Sequence, residues 1–436
     1  MKKLKALVIA MTVLSLTTFI GGCGQSGEKK EANSNKDKVV IEYWHINGDS
    51  LGGRANDQMI KAFNASQDKI EVVGRFIPDT YKGLMQNLQA EAAAGKAPAI
   101  VQVGWAYKEY FGNNFKYIQP EELINKYFPD DKQWFENKFT KPVRALAMNQ
   151  KNQQVGLPYG LSTPILYLNL DILQQAGVDP QTLTTWTAIR DASKKIKDTS
   201  GKYGLYIAEN AYTWEIQQLL ESNGTKYIQD GKAAFASAEG IEAYQLMADM
   251  ILKDKSALHI DGKQGVQSFI QGDVGMHFNT VAYSRMIKDG TKANITAIPA
   301  PGWDGKQASY SVPAGGNLLA ITAQTEAQQK AAWEFLKYLY QPDNIGIWLN
   351  DTGYIPPTAD AIENETVKKL VTEDPFIKVA YDSSKYIDSW VAFPGSKGLQ
   401  AEQILIDLRD KVLGGTVTVS EGLKKTQDEI NVLISK

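Results

Sequence analysis

Residues 39–103 carry the reading that decides the fold: Val-Val-Ile-Glu-Tyr-Trp at 39–44, Arg-Ala-Asn-Asp-Gln-Met-Ile-Lys-Ala-Phe-Asn-Ala-Ser at 54–66, Ile-Glu-Val-Val at 70–73, and Ala-Ile-Val-Gln-Val at 99–103. The first, third and fourth pieces are the β-branched and aromatic runs of buried strands. In the second, Ala55, Met59, Ile60, Ala62 and Phe63 recur at helical spacing. Another helical pattern runs through Leu84, Leu88 and Ala92 and stops at Gly95. Strand, helix, strand, helix, strand predicts a mostly parallel sheet covered by helices on both faces, an α/β fold.

The alternation resumes downstream. Strands are expected near Ile165–Leu168, Gly275–Phe278, Ile295–Ile298 and Leu318–Ile321, and helices over Trp186–Lys197, Ile216–Ser222, Ile241–Leu252, Gln328–Tyr340 and Leu399–Leu413. The whole exceeds one comfortable α/β domain, and no low-complexity linker divides it. Two lobes joined by several strands fit this better than separate domains in series.

Composition narrows the function. With 47 Lys+Arg against 49 Asp+Glu, the chain lacks the basic surface that nucleic acid requires. Its single cysteine rules out an internal disulfide and a cysteine-cluster metal site. That residue, Cys23, follows a cationic start (Met1-Lys-Lys-Leu-Lys5) and an apolar run, Ala6 to Ile20, short for a membrane span but suited to an export signal. Ile20-Gly21-Gly22 before it resembles a bacterial lipobox. Residues 1–22 are therefore expected to be a cleaved signal peptide, with Cys23 lipidated. Residues 24–37 hold nothing aliphatic larger than Ala and read as a flexible tether, so that residues 23–37 hold the protein to the outer face of the cell membrane. Cleavage would remove Lys2, Lys3 and Lys5, leaving 44 basic against 49 acidic residues.

Several stretches together resemble the extracellular solute-binding proteins of ATP-driven importers, in the branch that contains maltodextrin-binding and glycerol-3-phosphate-binding proteins. They are Gly95-Lys-Ala-Pro-Ala-Ile-Val-Gln-Val, Leu157-Pro-Tyr-Gly-Leu-Ser-Thr-Pro-Ile-Leu-Tyr-Leu-Asn-Leu-Asp, Gly177-Val-Asp-Pro ahead of Thr185-Trp, Gly272-Asp-Val-Gly-Met, Ala314-Gly-Gly-Asn-Leu-Leu-Ala-Ile, and Thr352-Gly-Tyr-Ile-Pro-Pro. The resemblance implies a two-lobe periplasmic-binding-protein fold of type II character, with an interdomain cleft and three hinge crossovers near Ser162–Ile165, Val312–Asn317 and Tyr354–Pro357. The N-terminal lobe would hold residues 38–162 plus 317–355, and the C-terminal lobe 165–312 plus 358–436. It also implies permease subunits and a cytoplasmic ATPase as partners, and a monomeric receptor without cofactor.

Nine Trp and 20 Tyr supply rings that stack on sugar C–H faces while amides and hydroxyls meet sugar hydroxyls. Trp44, Trp186 and Trp333 lie in strand or helix patterns and read as core. Trp105 follows a strand at its carboxyl end, where open α/β sheets bind ligands, and reads as a ligand contact. It also falls near the stacking aromatic of the maltodextrin relatives. By resemblance to the glycerol-3-phosphate relatives, Tyr81, Ser162, the Gly315-Gly316-Asn317 turn and Tyr354 are further ligand candidates. Rough alignment adds Trp214, Asn279, Tyr283 and Trp390. Where those relatives carry Arg-Gly-Leu, this chain has Lys397-Gly398-Leu399. Losing the bidentate Arg and an acidic residue near Trp105 favours a neutral carbohydrate over glycerol 3-phosphate or a glycerophosphodiester, although Lys397 could still neutralise a phosphate.

Catalysis is not expected. His45, His259 and His277 are scattered, no metal-ligand spacing occurs, Ser162 lacks a nucleophile elbow, and no phosphate loop is present. A pair of carboxylates acting on a glycan, and a binding protein that serves a sensor instead of a permease, are the competing classes. His45 reads as a satisfied strand-end residue.

Overall fold

The computed structural model describes residues 38–49, 51–210, 212–306, 312–391, 393 and 396–435. The expected signal peptide, Cys23 and the tether lie outside these residues. In chain order the strands are β1 (Val39–His45), β2 (Ile70–Phe76), β3 (Ile100–Gly104), β4 (Leu157–Ser162), β5 (Pro164–Asn169), β6 (Tyr203–Ile207), β7 (Ile228–Gln229), β8 (Lys232–Ala233), β9 (Val274–Thr280), β10 (Ile295–Pro299), β11 (Val312–Pro313), β12 (Gly315–Ile321) and β13 (Ile387–Asp388).

Two large sheets result, one ordered β2-β1-β3-β12-β4 and the other β10-β5-β9-β6. The expected β–α–β start is present, with β1 parallel to both β2 and β3. The sheets as a whole, however, are mixed and not mostly parallel. β12 runs antiparallel to β3 and to β4, and β5 runs antiparallel to β9 and β10, while β6 and β9 are parallel. The cause is the path of the chain. It leaves the first sheet through β4, builds the second, and then returns to contribute β12, a strand that enters from the opposite end.

Both crossings are tight. Only Thr163 separates β4 from β5, and only Ala314 separates β11 from β12. β11 pairs with β13, and Ala314 N–H donates to Asp388 O at 2.8 Å. Farther along, Ile355 N–H donates to Leu161 O at 2.8 Å, so a third segment of chain lies against the end of β4.

Burial follows from this layering. β3, β4, β5, β9 and β12 are buried along their entire length, as strands covered on both faces are, while edge strand β2 is exposed over its last four residues. On one face of the first sheet, Tyr43 packs with Met59 and Phe63 of helix Gly53–Ser66 and with Trp333 and Leu336 of helix Glu326–Leu339. On the opposite face, Val101 and Val103 pack with Leu84 and Leu88 of helix Thr80–Ala93. In the second sheet, Leu166, Leu168 and Met276 pack with Trp186, Ile189 and Ile196 of helix Trp186–Ser200, which the Thr185 side chain caps and a left-handed Gly201 ends. Tyr167, Tyr206 and Val274 point the other way, into the cluster that also holds Trp105, Trp214 and Trp390. Two outer cores and one shared inner core give a two-lobe architecture. Trp44, Trp186 and Trp333 are all core residues.

Candidate functional site

The two crossings bring the ends of β4 and β12 together, with Gly315 opposite Ser162, Gly316 opposite Leu161 and Asn317 opposite Gly160. A side chain at Gly315 would sit 2.3 Å from Ser162 Oγ and 2.9 Å from the Trp214 ring. Glycine is therefore what lets an indole lie directly on the backbone. Two tryptophans peg this segment: Trp105 Nε1 donates to Gly315 O at 3.0 Å, and Trp214 Nε1 donates to Pro313 O at 3.1 Å. Thr280 Oγ1 donates to Ser162 Oγ at 2.9 Å, joining the end of β9 to the end of β4.

Asn317 Nδ2 donates to the Tyr81 hydroxyl at 2.9 Å, and Tyr81 is in turn hydrogen bonded to Tyr354. Asn317→Ala removes the donor that fixes Tyr81 inside a buried network. The expected result is a loss of about 1–3 kcal/mol of stability together with weaker ligand binding, read from urea midpoints and titration calorimetry.

Around these residues closes a cavity of about 50 Å³, lined by Ile46, Leu51, Thr80, Tyr81, Ser162, Tyr212, Trp214, Thr280, Ala282, Tyr283, Gly315, Gly316, Tyr354 and Trp390. Among the described residues no charged side chain belongs to this wall. Burial raises the phenols of Tyr81, Tyr212 and Tyr354, and pushes that of Tyr283 up to about 12, so all four stay neutral and able to donate. Indole faces come from Trp214 and Trp390, whose centroids are 6.0 Å apart, with Tyr212 edge-on to Trp390 at 5.0 Å. Thr80 joins this wall at φ of 60°, and with Asp79 just before it, at 64°, forms a strained left-handed pair where helix Thr80–Ala93 begins. For β-branched Thr80 that conformation is an outlier.

Two buried carboxyls, Glu215 and Glu402, lie behind the wall. Burial pushes Glu215 up to about 8; its Oε1 accepts from Asn210 Nδ2 at 3.2 Å. Burial also pushes Glu402 up to about 7, and that carboxyl accepts from Thr213 N–H at 2.9 Å. Arg409, which lowers both carboxyls electrostatically, donates to Asn210 O at 2.8 Å and to Asp410 at 2.9 Å.

Of the residues singled out from sequence, the cavity wall gathers Tyr81, Ser162, Trp214, Tyr283, Gly315, Gly316, Tyr354 and Trp390. Asn317 stands one layer behind, through Tyr81. Trp105 is not on the wall. It is 1% exposed, because the Gly315 carbonyl takes its indole N–H and turns the ring into the inner core. Asn279 is also fully buried off the wall, donating to His277 Nε2 at 3.0 Å and accepting from Thr280 N–H at 2.7 Å. Lys397 is exposed, at the start of helix Gly398–Leu413, and does not line the cavity. His45 is buried, accepts from Asn47 N–H at 3.3 Å and is held down at about 4 by burial. Sequence reasoning did not select Thr80, Tyr212 or Thr280. Tyr212, two residues before Trp214 in an aromatic pair, had a usable signal; the two threonines had none.

Among the described residues no cluster of His, Cys, Asp and Glu is arranged to hold a metal ion, and no helix is long and apolar enough to cross a membrane.

A family model described as "Bacterial extracellular solute-binding protein" matches residues 58–375. The sn-glycerol-3-phosphate-binding periplasmic protein UgpB of Escherichia coli K12 is 25% identical over 419 residues, covering 91% of this chain and 93% of that protein. Among solved structures, UgpB from Mycobacterium tuberculosis in complex with glycerophosphocholine superposes with a TM-score of 0.80 at 16% identity, covering 91% of this chain and 99% of the other. The cyclic alpha-maltosyl-1,6-maltose binding protein from Arthrobacter globiformis superposes with a TM-score of 0.74 at 19% identity, with the same coverage. Both establish the likeness of fold.

Proposed function

The chain belongs to the bacterial extracellular solute-binding proteins, the binding components of ABC importers, and from that premise we propose that its solute is a neutral carbohydrate. The observation that carries the reading is the cavity wall: four neutral phenols, two indoles, three hydroxyls and a glycine backbone, with no charged side chain among the described residues. Rings meet C–H faces and hydroxyl groups meet sugar hydroxyls. Among the described residues the wall offers a buried phosphate no cationic donor.

In this reading a mono- or oligosaccharide enters an open cleft, and closure of the lobes over it, favoured by contacts made only when closed, produces the form a permease recognises. The lobes would comprise residues 38–162 plus 317–355 and residues 165–312 plus 358–436, hinged where the chain crosses. Cys23, lipidated after removal of residues 1–22, would anchor the monomer through residues 24–37 to the outer face of the membrane beside the permease and its ATPase. The role is binding, without catalysis.

A second reading, glycerol 3-phosphate or a glycerophosphodiester, draws on the likeness to the Escherichia coli protein. Melting of residues 38–436 against both ligand classes separates the two, because a ligand at 100 times its Kd adds about 2.7 kcal/mol to stability. The expected result is an upward shift with sugars. A shift with glycerol phosphates alone overturns the carbohydrate reading.

A further inference from the structure

Trp390 lines the inner cavity and also a second space, an open groove of about 540 Å³ whose walls include Glu109, Asn149, Gln150, Lys226 and Asp388. The two spaces differ in character. The inner one is small and, among the described residues, uncharged, whereas the outer one is polar and carries acids, two lysines and amides suited to a string of hydroxyls. Neither describes a whole site: about 50 Å³ is well below the ~300–1,000 Å³ of ligand pockets, and the groove alone is shallow and open. They meet at one indole.

That indole is held in place from both sides of its own backbone. Gln217, on helix Trp214–Ser222, accepts from Val391 N–H through Oε1 at 2.9 Å and donates to Ser389 O through Nε2 at 3.1 Å. The same Nε2 also reaches Glu221 Oε2 at 3.0 Å, so the amide is fixed in turn. A buried side chain that bonds the residues before and after Trp390, but not Trp390 itself, sets where the ring stands between the two spaces. Trp214 is on the same helix, one turn from Gln217, so the two indoles are positioned by a single rigid element.

Resting on the carbohydrate reading above, we infer that Trp390 divides two subsites and that the ligand is an oligosaccharide spanning it, with one terminal unit in the inner cavity and the following units in the outer groove. Gln217 is the positioning residue for this divider. Chain length, more than the identity of the first sugar, then governs affinity.

The test measures Kd by calorimetry for ladders of one to six glucose, galactose, mannose or xylose units, with the protein spanning residues 38–436. For wild type, the best ladder is expected to gain at least about tenfold in affinity from one unit to three. Trp390→Ala is expected to abolish most of that gain, Trp390→Phe to keep it, and Gln217→Leu to reduce it by about threefold or more. Since Trp390→Ala also removes a core ring, melting accompanies each variant; if it does not fold, Trp390→Phe and Gln217→Leu carry the test. Equal affinity for all lengths in wild type, or losses in Gln217→Leu that are the same factor at every length, overturn the divider while leaving a sugar-binding protein. Binding of no ladder member to wild type overturns the carbohydrate reading and the divider together.

Discussion

Gly316→Ala is expected to lose about 4 kcal/mol or more of folding stability, a large share of the ~5–15 kcal/mol that keeps a typical protein folded. Two effects add. Gly316 has φ of 108°, outside the region where L residues are found, which alone costs about 1–3 kcal/mol. Its new Cβ would also stand 2.1 Å from Gly160 O and 2.5 Å from Gly160 C, backbone atoms that cannot rotate away. Relief requires β12 and β4 to separate, and β12 is the strand that joins β3 to β4. Gly305→Ala is the control: it also has positive φ, at 71°, but nothing lies within 4 Å of the added carbon, so about 1 kcal/mol is expected. Urea midpoints of both variants give the comparison. Equal losses would mean that the close approach of the two strands contributes nothing.

Stability should also depend on pH, with a maximum near pH 5–6.5 and a loss of about 2–3 kcal/mol by pH 8. Glu215 at about 8 and Glu402 at about 7 keep their protons in the folded state, whereas unfolded Glu releases its proton near 4.3. Between those values the folded chain holds more protons, so stability falls as pH rises, by about 1.4 kcal/mol per unit for each carboxyl. His45 at about 4 and His277 at about 3 act in the opposite sense, because burial keeps them neutral while the unfolded chain protonates below about 6.5. From pH 5 to 6.5 two histidines offset two carboxyls. Above 6.5 the histidines drop out and the carboxyls act alone. The His259 imidazole, raised by Glu209 at 2.7 Å, adds to the decline. Denaturant midpoints at pH 6.5 and 8 should show the loss in wild type and less than about half of it in Glu215→Gln; the same loss in both would relieve Glu215 of any part in it.

The alternation over residues 39–103 was legible because each piece is long, periodic and bounded, and helices at 54–66 and near 84–92 appear as Gly53–Ser66 and Thr80–Ala93. Strand direction was not legible, since hydrophobic patterning is the same read either way, and so β12 was expected in a mostly parallel sheet. Helices Lys108–Asn114, Lys132–Lys138 and Lys141–Leu146 were also missed, being two turns or fewer and too short to display a period. At the site, glycines and aromatics of the crossings were readable as a group. What a sequence does not state is which way a ring turns. Trp105 lies where a ligand contact belongs, at the end of β3, yet a carbonyl 210 residues away claims its N–H. Lys397 was selected by position in an alignment, and only the folded chain reveals that helix Gly398–Leu413 starts at the surface.

The reversed strand has a consequence for how the chain comes into being. β12 stands between β3 and β4, so the first sheet cannot be completed until residues 315–321 have emerged, long after its other four strands. A nascent chain of 300 residues therefore holds the three-stranded piece β2-β1-β3 and the unpaired strand β4, and closing loops of that length is slow. The strand that closes the sheet also carries Gly315 and Gly316, so the cavity wall they line cannot assemble before the first sheet is whole.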